Sequence, residues 1–595
     1  MSVVSFLINP IINISYIRLW REVWKYAAEQ RRNIIIYHVL FLFAMGFDLS
    51  VPWLFGQLVN TLQKGGPTLF QDCARMLGYI FISKIGMWVL HGPGRVMERR
   101  AGMIVYINYI DVMFKNLTEL PLSWHQDNHS GATINRIRTA GGVLRNFAET
   151  GFISFQRVIT LVGSIAILVA YNWVIGIASA LSFFMSMAII IILNKKMTKA
   201  IHQSNEASHI SSATFFDFVA NMVSIVVLRL QKFAQTTMHV KQCLAMDPYI
   251  AEAKINEWRY FLYTMLNVSM LSAILLGYIH FQIEAGLVIA AGTLVTVYMY
   301  QDRVGSQGFD FMSLHSTWLN TLTSLKSTDP LMEDHARLVK PVPHDIADEW
   351  TAINIQNLSF TYKKSLGVQK RVLDGINMRI AHGEKIALIG SSGGGKSTLL
   401  SLLRALRDPD EAVVDVDGAA APFSALAEMT TLIPQDPEIF ENSIRFNVSF
   451  GLDVPDEQVY KSLALAEFMP VLTQMPQGLD TDIREKGVNL SVGQKQRLAV
   501  ARGLFAAEQS DIILLDEPTS SVDLPTESKI FENVFTHFKN KTIIATLHRL
   551  HLLPEFDRII FLDHGRVAAD MPSAVALSTP GPIRDLYKTY QQKEA

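Results

Sequence analysis

Residues Gly390 to Thr398 read GSSGGGKST, a glycine-rich run closed by a lysine and two hydroxyl residues. Gly390, Gly393, Gly394 and Gly395, with Ser391 and Ser392 between them, form a loop whose backbone N–H groups can ring an anion. Lys396 has the reach for the β- and γ-phosphates of a nucleotide, and Ser397, with Thr398 beside it, has the hydroxyl that holds Mg2+. A second group of residues lies far along the chain, where the apolar run Ile512-Ile513-Leu514-Leu515 ends in Asp516-Glu517. Asp516 is suited to bind Mg2+ through its water shell, and Glu517 to polarise an attacking water as general base. A phosphate cradle, a metal carboxylate and a base are what hydrolysis of a nucleotide requires.

These groups work only if the backbone brings them to one edge. Ile386-Ala387-Leu388-Ile389 reads as a buried strand, and Leu399-Leu400-Ser401-Leu402-Leu403 as the start of a helix. Strand, glycine turn and helix N-terminus together aim donors and helix dipole at the phosphate. Ile512 to Leu515 reads as a second buried strand, with its carboxylates at the exit.

The chain has 595 residues, 49% of them hydrophobic and only 18% charged, a balance shifted toward the membrane class. Its net charge of −1 gives no basis for a nucleic-acid partner. Cys73 and Cys243 are the only cysteines, too few for a disulfide framework or a thiolate metal site. The long apolar runs fall in the first half. The expected organisation is a transmembrane domain over 1–335, a linker over 336–350 containing Pro341 and Pro343, and an α/β domain over 351–595. No signal-peptide cleavage pattern follows Met1. Phe6 to Ile17 is too short to span, and Arg18 to Arg32, with Trp20 and Trp24, reads as a segment along the membrane surface.

Six spans are expected, near Ile34–Phe55, Ala74–Pro93, Ile153–Tyr171, Val174–Leu193, Tyr260–His280 and Leu287–Tyr300. Each approaches the length of about 20 residues that a crossing helix needs. The long connections Arg95–Arg145 and Lys195–Arg259 are rich in Lys and Arg, which puts them, both termini and the phosphate-binding domain on the cytoplasmic side. Leu120–Gly131 and Glu206–Phe218 are expected to present short helices to that domain. His125 and His129 lack a carboxylate or thiol to complete a metal set and read as packing residues. Asp48, Lys84 and His91 sit inside apolar runs, where an ionisable group needs a cavity or a partner. Two readings stay open for them: a polar substrate path, or a structural Asp48–Lys84 pair.

Further residues in the second half occur in a recognisable order. Leu490 to Arg497 reads LSVGQKQR, Gln435 stands in Ile433-Pro434-Gln435-Asp436, and Tyr362 in Phe360-Thr361-Tyr362. Ser520-Ser521-Val522-Asp523 and Thr546-Leu547-His548-Arg549 follow the Asp516-Glu517 pair. With the loop and the six spans, the whole chain resembles the ATP-binding cassette (ABC) transporters of the exporter type. The fold this implies is a six-span α-helical membrane domain followed by an α/β P-loop ATPase domain.

The resemblance also implies roles. Tyr362 stacks on the adenine of ATP, Gln435 meets Mg2+ or water, and His548 contacts the γ-phosphate. Ser491, Gly493 and Gln494 belong to the signature that completes the ATP site of a second copy. Val492 departs from the family's usual glycine, which puts ATP affinity and rate in doubt but not the site itself. One set of motifs and six spans make half of a working unit, so a homodimer is implied. The implied function is ATP-driven export or flipping of a small amphipathic substrate (lipid, lipid-linked glycan, drug or peptide), in contact with membrane lipid, at the bacterial inner membrane. The alternatives are a peptide-specific exporter or an ATP-gated channel on the same scaffold. The channel predicts a lost catalytic glutamate and a regulatory insertion, and neither is present.

Overall fold

The computed structural model describes residues 12–128, 130–339, 350–363, 369–483 and 490–594. The chain divides into two compact units, Met1–Thr118 with Ser130–His335, and Glu119–His129 with Ala336–Ala595. His129 and 340–349, most of the expected linker, lie outside the described residues.

In lipid every backbone polar group must be satisfied within the segment, and the first unit is accordingly helical. After α1 (Ile12–Ala27) come α2 (Arg31–Lys64) and α3 (Leu69–Glu119). The short helix α4 (Leu122–Asp127) belongs to the second unit. Then follow α5 (Ser130–Tyr171), α6 (Trp173–Ala220), α7 (Met246–Glu284) and α8 (Ala291–Lys326). Among the described residues four segments are long and apolar enough to cross a membrane, Tyr16–Lys64, Leu69–Glu119, Thr133–Tyr171 and Gln231–Glu284. The first five expected spans each fall within one of α2, α3, α5, α6 and α7.

The sixth needs correction, because Leu287 to Ala290 precede α8. The reason is a pair of side chains from α2. Gln63 Oε1 accepts the Ala291 N–H at 2.8 Å and Asn60 Oδ1 accepts that of Gly292 at 2.8 Å, so the helix begins where α2 caps it. It also continues well past Gln301, whose amide donates to Ser182 Oγ at 3.0 Å inside the bundle. Glu206–Phe218 is corrected too. It is not a separate helix but part of α6, which carries no Gly or Pro between Gly176 and Asn221. Leu19, Val23 and Ala27 of α1 are buried, so its apolar face is spent on protein packing.

The second unit rests on strands buried on both faces. One sheet runs β10-β9-β3-β8-β7-β6, from β3 (Lys385–Gly390), β6 (Thr430–Ile433), β7 (Ile512–Asp516), β8 (Thr542–Thr546), β9 (Arg558–Asp563) and β10 (Arg566–Pro572). Its pairings are parallel except β9 with β10. Side chains alternate across a strand, and here the alternation separates two cores. Ile386, Leu388, Ile512 and Leu514 enter one hydrophobic layer, and Ala387, Ile389, Ile513 and Leu515 the other. The first layer also takes the antiparallel sheet β2-β1-β4-β5, built from β1 (Ala352–Lys363), β2 (Gln369–Ala381), β4 (Glu411–Val416) and β5 (Ala419–Ala421). The other takes the helices α10 (Val492–Ala507) and α11 (Leu524–His537). A run that is apolar at every position is thus what a parallel strand between two layers demands.

The tightest crossing in the first unit is between α2 and α8. A Cβ on Gly292 would lie 1.9 Å from the Gly56 carbonyl oxygen, so only glycine permits this approach of two helix backbones. Gly292→Val is expected to lower the melting temperature of the purified protein by more than ordinary overpacking, which costs about 1–3 kcal/mol, because the obstacle is main chain. Gly46→Ala, where a Cβ meets nothing within 4 Å, is the matched control and should shift it little.

Candidate functional site

Sheet order alone assembles the site. β3 and β7 both flank β8, and the rungs pair Asp516 with Thr546 and Leu388 with Thr546. The carboxyl ends of β3, β6, β7 and β8 therefore emerge along one edge, the place where open α/β sheets bind ligands. From β3 the chain turns through the glycine loop into helix α9 (Lys396–Leu403). Two glycines are obligatory here. Gly390 has φ 152°, and a Cβ on it would lie 2.1 Å from the Leu562 carbonyl oxygen. Gly395, the residue that starts the helix, has φ 102° with Leu373 Cδ2 at 2.6 Å from a Cβ.

A cavity of about 850 Å³ opens over this edge. It is lined by every residue of the loop Gly390–Thr398 except Ser391, and by Tyr362, Gln435, Glu517 and His548. Ser391 faces inward with its carbonyl, which accepts from Lys396 Nζ at 3.2 Å and from the Gly394 N–H at 3.0 Å. Lys396 Nζ also donates to the Gly390 carbonyl at 2.9 Å, so its ammonium is held over the loop. Ser397 Oγ donates to Asp516 Oδ1 at 3.0 Å, which joins the loop to the end of β7.

Glu517 is the most constrained residue of the group. Its φ is +44°, left-handed for a residue with a side chain, a strain that persists only where the surroundings impose it. They impose it through Thr546. That hydroxyl donates to Asp516 Oδ1 at 2.8 Å and accepts the Glu517 N–H at 2.8 Å. The Glu517 carboxylate then accepts from the Gln435 amide at 2.8 Å. Behind it, Gln496 donates to the Glu517 carbonyl at 3.3 Å and to Ser520 Oγ at 3.0 Å, and accepts the Ser521 N–H at 2.7 Å. Buried Glu527 takes Thr519 Oγ1 at 2.7 Å and Arg549 Nη1 at 3.0 Å, fastening the loop to the segment that carries His548.

Ser491, Gly493 and Gln494 do not line this cavity. They form a capping box at the start of α10. Ser491 Oγ accepts the Gln494 N–H at 3.3 Å, and Gln494 Oε1 the Ser491 N–H at 2.8 Å. A Cβ on Gly493 would stand 2.8 Å from the Ser521 carbonyl oxygen. Val492, the departure, is 63% exposed as the first residue of the helix, a place where a β-branched residue meets no obstacle. Further down α10, Arg502 donates to the Glu438 carbonyl, the Asn447 carbonyl and Asn447 Oδ1 at 2.6–2.7 Å, and stacks on Phe440 at 4.8 Å. Burial lowers its pKa, partly offset by Glu438. The stretch after Gln435 is thus tied to the signature helix.

Sequence reading missed several of these. Thr546 and Gln496 stood inside quoted motifs, and only the strand rung and the fold of the loop show what they touch. Arg407 gave no signal at all. Its guanidinium lies 4.9 Å over the Tyr362 ring, and it donates to Gln126 Oε1 of α4. Leu586, Thr589 and Tyr590 of the terminal helix α12 (Pro582–Glu594) also line the cavity. Among the described residues no group of three or more His, Cys, Asp and Glu is placed to hold a metal ion.

Comparison with known proteins agrees with this architecture. The family described as the ABC transporter transmembrane region matches residues 34–301, and that described as ABC transporter matches 373–520. Heavy metal tolerance factor 1 of Caenorhabditis elegans is 27% identical over 76% of this chain, which spans 57% of that protein's length. The mitochondrial iron-sulfur clusters transporter ATM1 of Saccharomyces cerevisiae is 26% identical, over 96% of this chain and 84% of its own. The structure of a bacterial Atm1-family ABC exporter with ATP bound superimposes with a TM-score of 0.81 over 95% of this chain and 99% of that one, at 21% identity, a likeness of fold. A nucleotide-shaped edge, long membrane helices and both family regions in one polypeptide lead to one conclusion: the chain belongs to the ABC transporters, with an exporter-type fold, and couples ATP hydrolysis to transport.

Proposed function

We propose that this protein is an ATP-driven exporter or flippase that moves a small amphipathic compound (lipid, lipid-linked glycan, drug or peptide) out of the cytoplasm by alternating access. The observation that carries the reading is the convergence of Lys396, Gln435, Glu517 and His548 on one cavity, with Glu517 held by Gln435 at 2.8 Å. In this reading Lys396 leaves the Gly390 and Ser391 carbonyls for the β- and γ-phosphates, the stronger acceptors. The loop N–H groups from Gly390 to Thr398 cradle the phosphate chain. Tyr362 offers a face to adenine. Glu517 accepts a proton from the attacking water. His548 donates to the γ-phosphate and so distinguishes ATP from ADP.

Ser397, Asp516 and Gln435 present hydroxyl, carboxylate and amide oxygens, the hard donor set that Mg2+ prefers, and Ser397 and Asp516 already touch at 3.0 Å. Mg2+ held there would supply charge neutralisation at the phosphates. The domain division 1–335, 336–350 and 351–595 remains the proposed one, with the ATP-binding part on the cytoplasmic side of a bacterial inner membrane.

The working unit is proposed to be a homodimer. Ser491, Gly493 and Gln494 are absent from this chain's own cavity, which supports their use on ATP bound to the partner. The most apolar stretch of α3 is only 6% buried, surface suited to lipid or a second copy. ATP clamped between two copies has a higher affinity for the closed pair, and a ligand shifts a conformational balance only by that difference. A change from 1:99 to 99:1 takes about 5.5 kcal/mol.

Two outcomes test this. Glu517→Gln should lose at least about 100-fold in hydrolysis rate while still binding ATP, and should run as a stable dimer with Mg-ATP in sedimentation velocity. Turnover at the wild-type rate would remove Glu517 as base. Lys396→Ala should weaken ATP binding itself, measured by titration of a fluorescent ATP analogue, and should abolish that dimer.

A further inference from the structure

A second cavity, of about 500 Å³, lies within the membrane unit. Charged groups from three helices line it, and Lys84 of a fourth pairs with one of them. Asp48 of α2 pairs with Lys84 of α3 at 2.8 Å and with Arg303 of α8 at 3.1 Å, and Arg157 of α5 pairs with Asp310 of α8 at 3.5 Å. In the ion pairs of the described residues three cations face two carboxylates, a balance of one positive charge. Asp48, Arg157, Arg303 and Asp310 all line the cavity, together with Phe152 and Gln307.

The structural pair Asp48–Lys84 is therefore present, and a cavity adjoins it. The two guanidiniums are under-used. Each has five N–H donors, of which Asp48 and Asp310 take up few: Arg303 meets Asp48 through Nη1 at 3.1 Å and Arg157 meets Asp310 through Nε at 3.5 Å, while Arg157 Nη1 is buried without a hydrogen-bond partner among the described residues. Gln307 is 8% exposed, and its Oε1 likewise lacks a donor. Ion pairs serving only to join helices would leave neither unspent donors nor a space within the 300–1,000 Å³ range usual for small-molecule sites. Excess positive charge at membrane depth is costly unless something neutralises it.

We propose that this cavity binds the anionic group, carboxylate or phosphate, of the transported compound through Arg157 and Arg303, with Gln307 accepting a donor from the same head group and Phe152 bearing on the apolar part. This assignment rests on the transport reading above and narrows it to anionic amphiphiles. The anion adds acceptors for the guanidinium N–H groups that Asp48 and Asp310 leave over, and offsets the cationic balance of the cluster.

The test uses the full chain in phosphatidylcholine nanodiscs and four compounds with one alkyl chain: dodecyl phosphate, dodecanoate, dodecyltrimethylammonium and dodecyl maltoside. The two anions are expected to raise the melting temperature and stimulate Mg-ATP hydrolysis at concentrations about tenfold lower than the other two. Arg157→Gln and Arg303→Gln should each erase that preference. Arg157→Gln with Asp310→Asn removes a cation and a carboxylate together, so it keeps the test valid if the single variant does not fold. Discs containing phosphatidylglycerol separate the sources. Stimulation by that lipid without added compound identifies a membrane anion, stimulation only by dodecyl phosphate or dodecanoate identifies a dispersed one, and both support the site. Equal response to all four compounds, or an anion preference that survives the arginine changes, overturns it. Failure of the transport reading looks different: hydrolysis that does not depend on Glu517.

Discussion

The hydroxyl of Thr546 stands between the Asp516 carboxylate and the Glu517 N–H at 2.8 Å from each, and the chemistry of this chain depends on that bridge. It binds the ends of two neighbouring parallel strands. It turns Glu517 into a left-handed conformation that strands do not otherwise adopt, and so aims the carboxylate away from the strand line into the cavity. Without such over-determination the strain would relax. Gln435, Gln496 and the Glu527–Arg549 pair then surround the same turn. Each contact comes from a different segment, so the base is held by the fold and not by its own sequence neighbours.

Two arginines tie the surroundings of the phosphate edge to distant segments of the chain. Arg502 joins the stretch after Gln435 to α10, whose first turn carries the signature residues. Arg407 touches both Tyr362 and Gln126. Ring and loop are thereby linked to α4, within the same compact unit. These are charged groups bonded to backbone or aromatic partners, the stronger kind of hydrogen bond and stacking contact.

In the membrane unit the physical problem is reversed. Apolar helices associate without a hydrophobic drive between them, so close packing and polar contacts decide where they cross. Gly56 and Gly292 permit backbone contact, and Asn60 and Gln63 of α2 cap α8 from across that crossing. The Asp48, Lys84 and Arg303 cluster is the costly element. Its pairing lowers the cost of burying charge, and the adjoining cavity gives the charge a use.

The phosphate loop, the strand leading to Asp516-Glu517 and the helices α2, α3, α5, α6 and α7 were legible in the residues, because each is a local pattern: glycines before a lysine, an apolar run of strand length, an apolar run of membrane length. The start of α8 was not, since its capping groups lie on α2, more than two hundred positions earlier in the chain. Glu206–Phe218, expected as a short helix of its own, instead continues α6, because nothing in it stops a helix. The sequence by itself determined which groups could bind phosphate, hold a metal and move a proton. Only the tertiary structure decided that Thr546, Gln496, Glu527 and Arg407 support them, and that Arg157 and Arg303 share a cavity. Hydrogen bonds and ion pairs between distant segments depend on strand order and helix crossing, and no local pattern of residues records either.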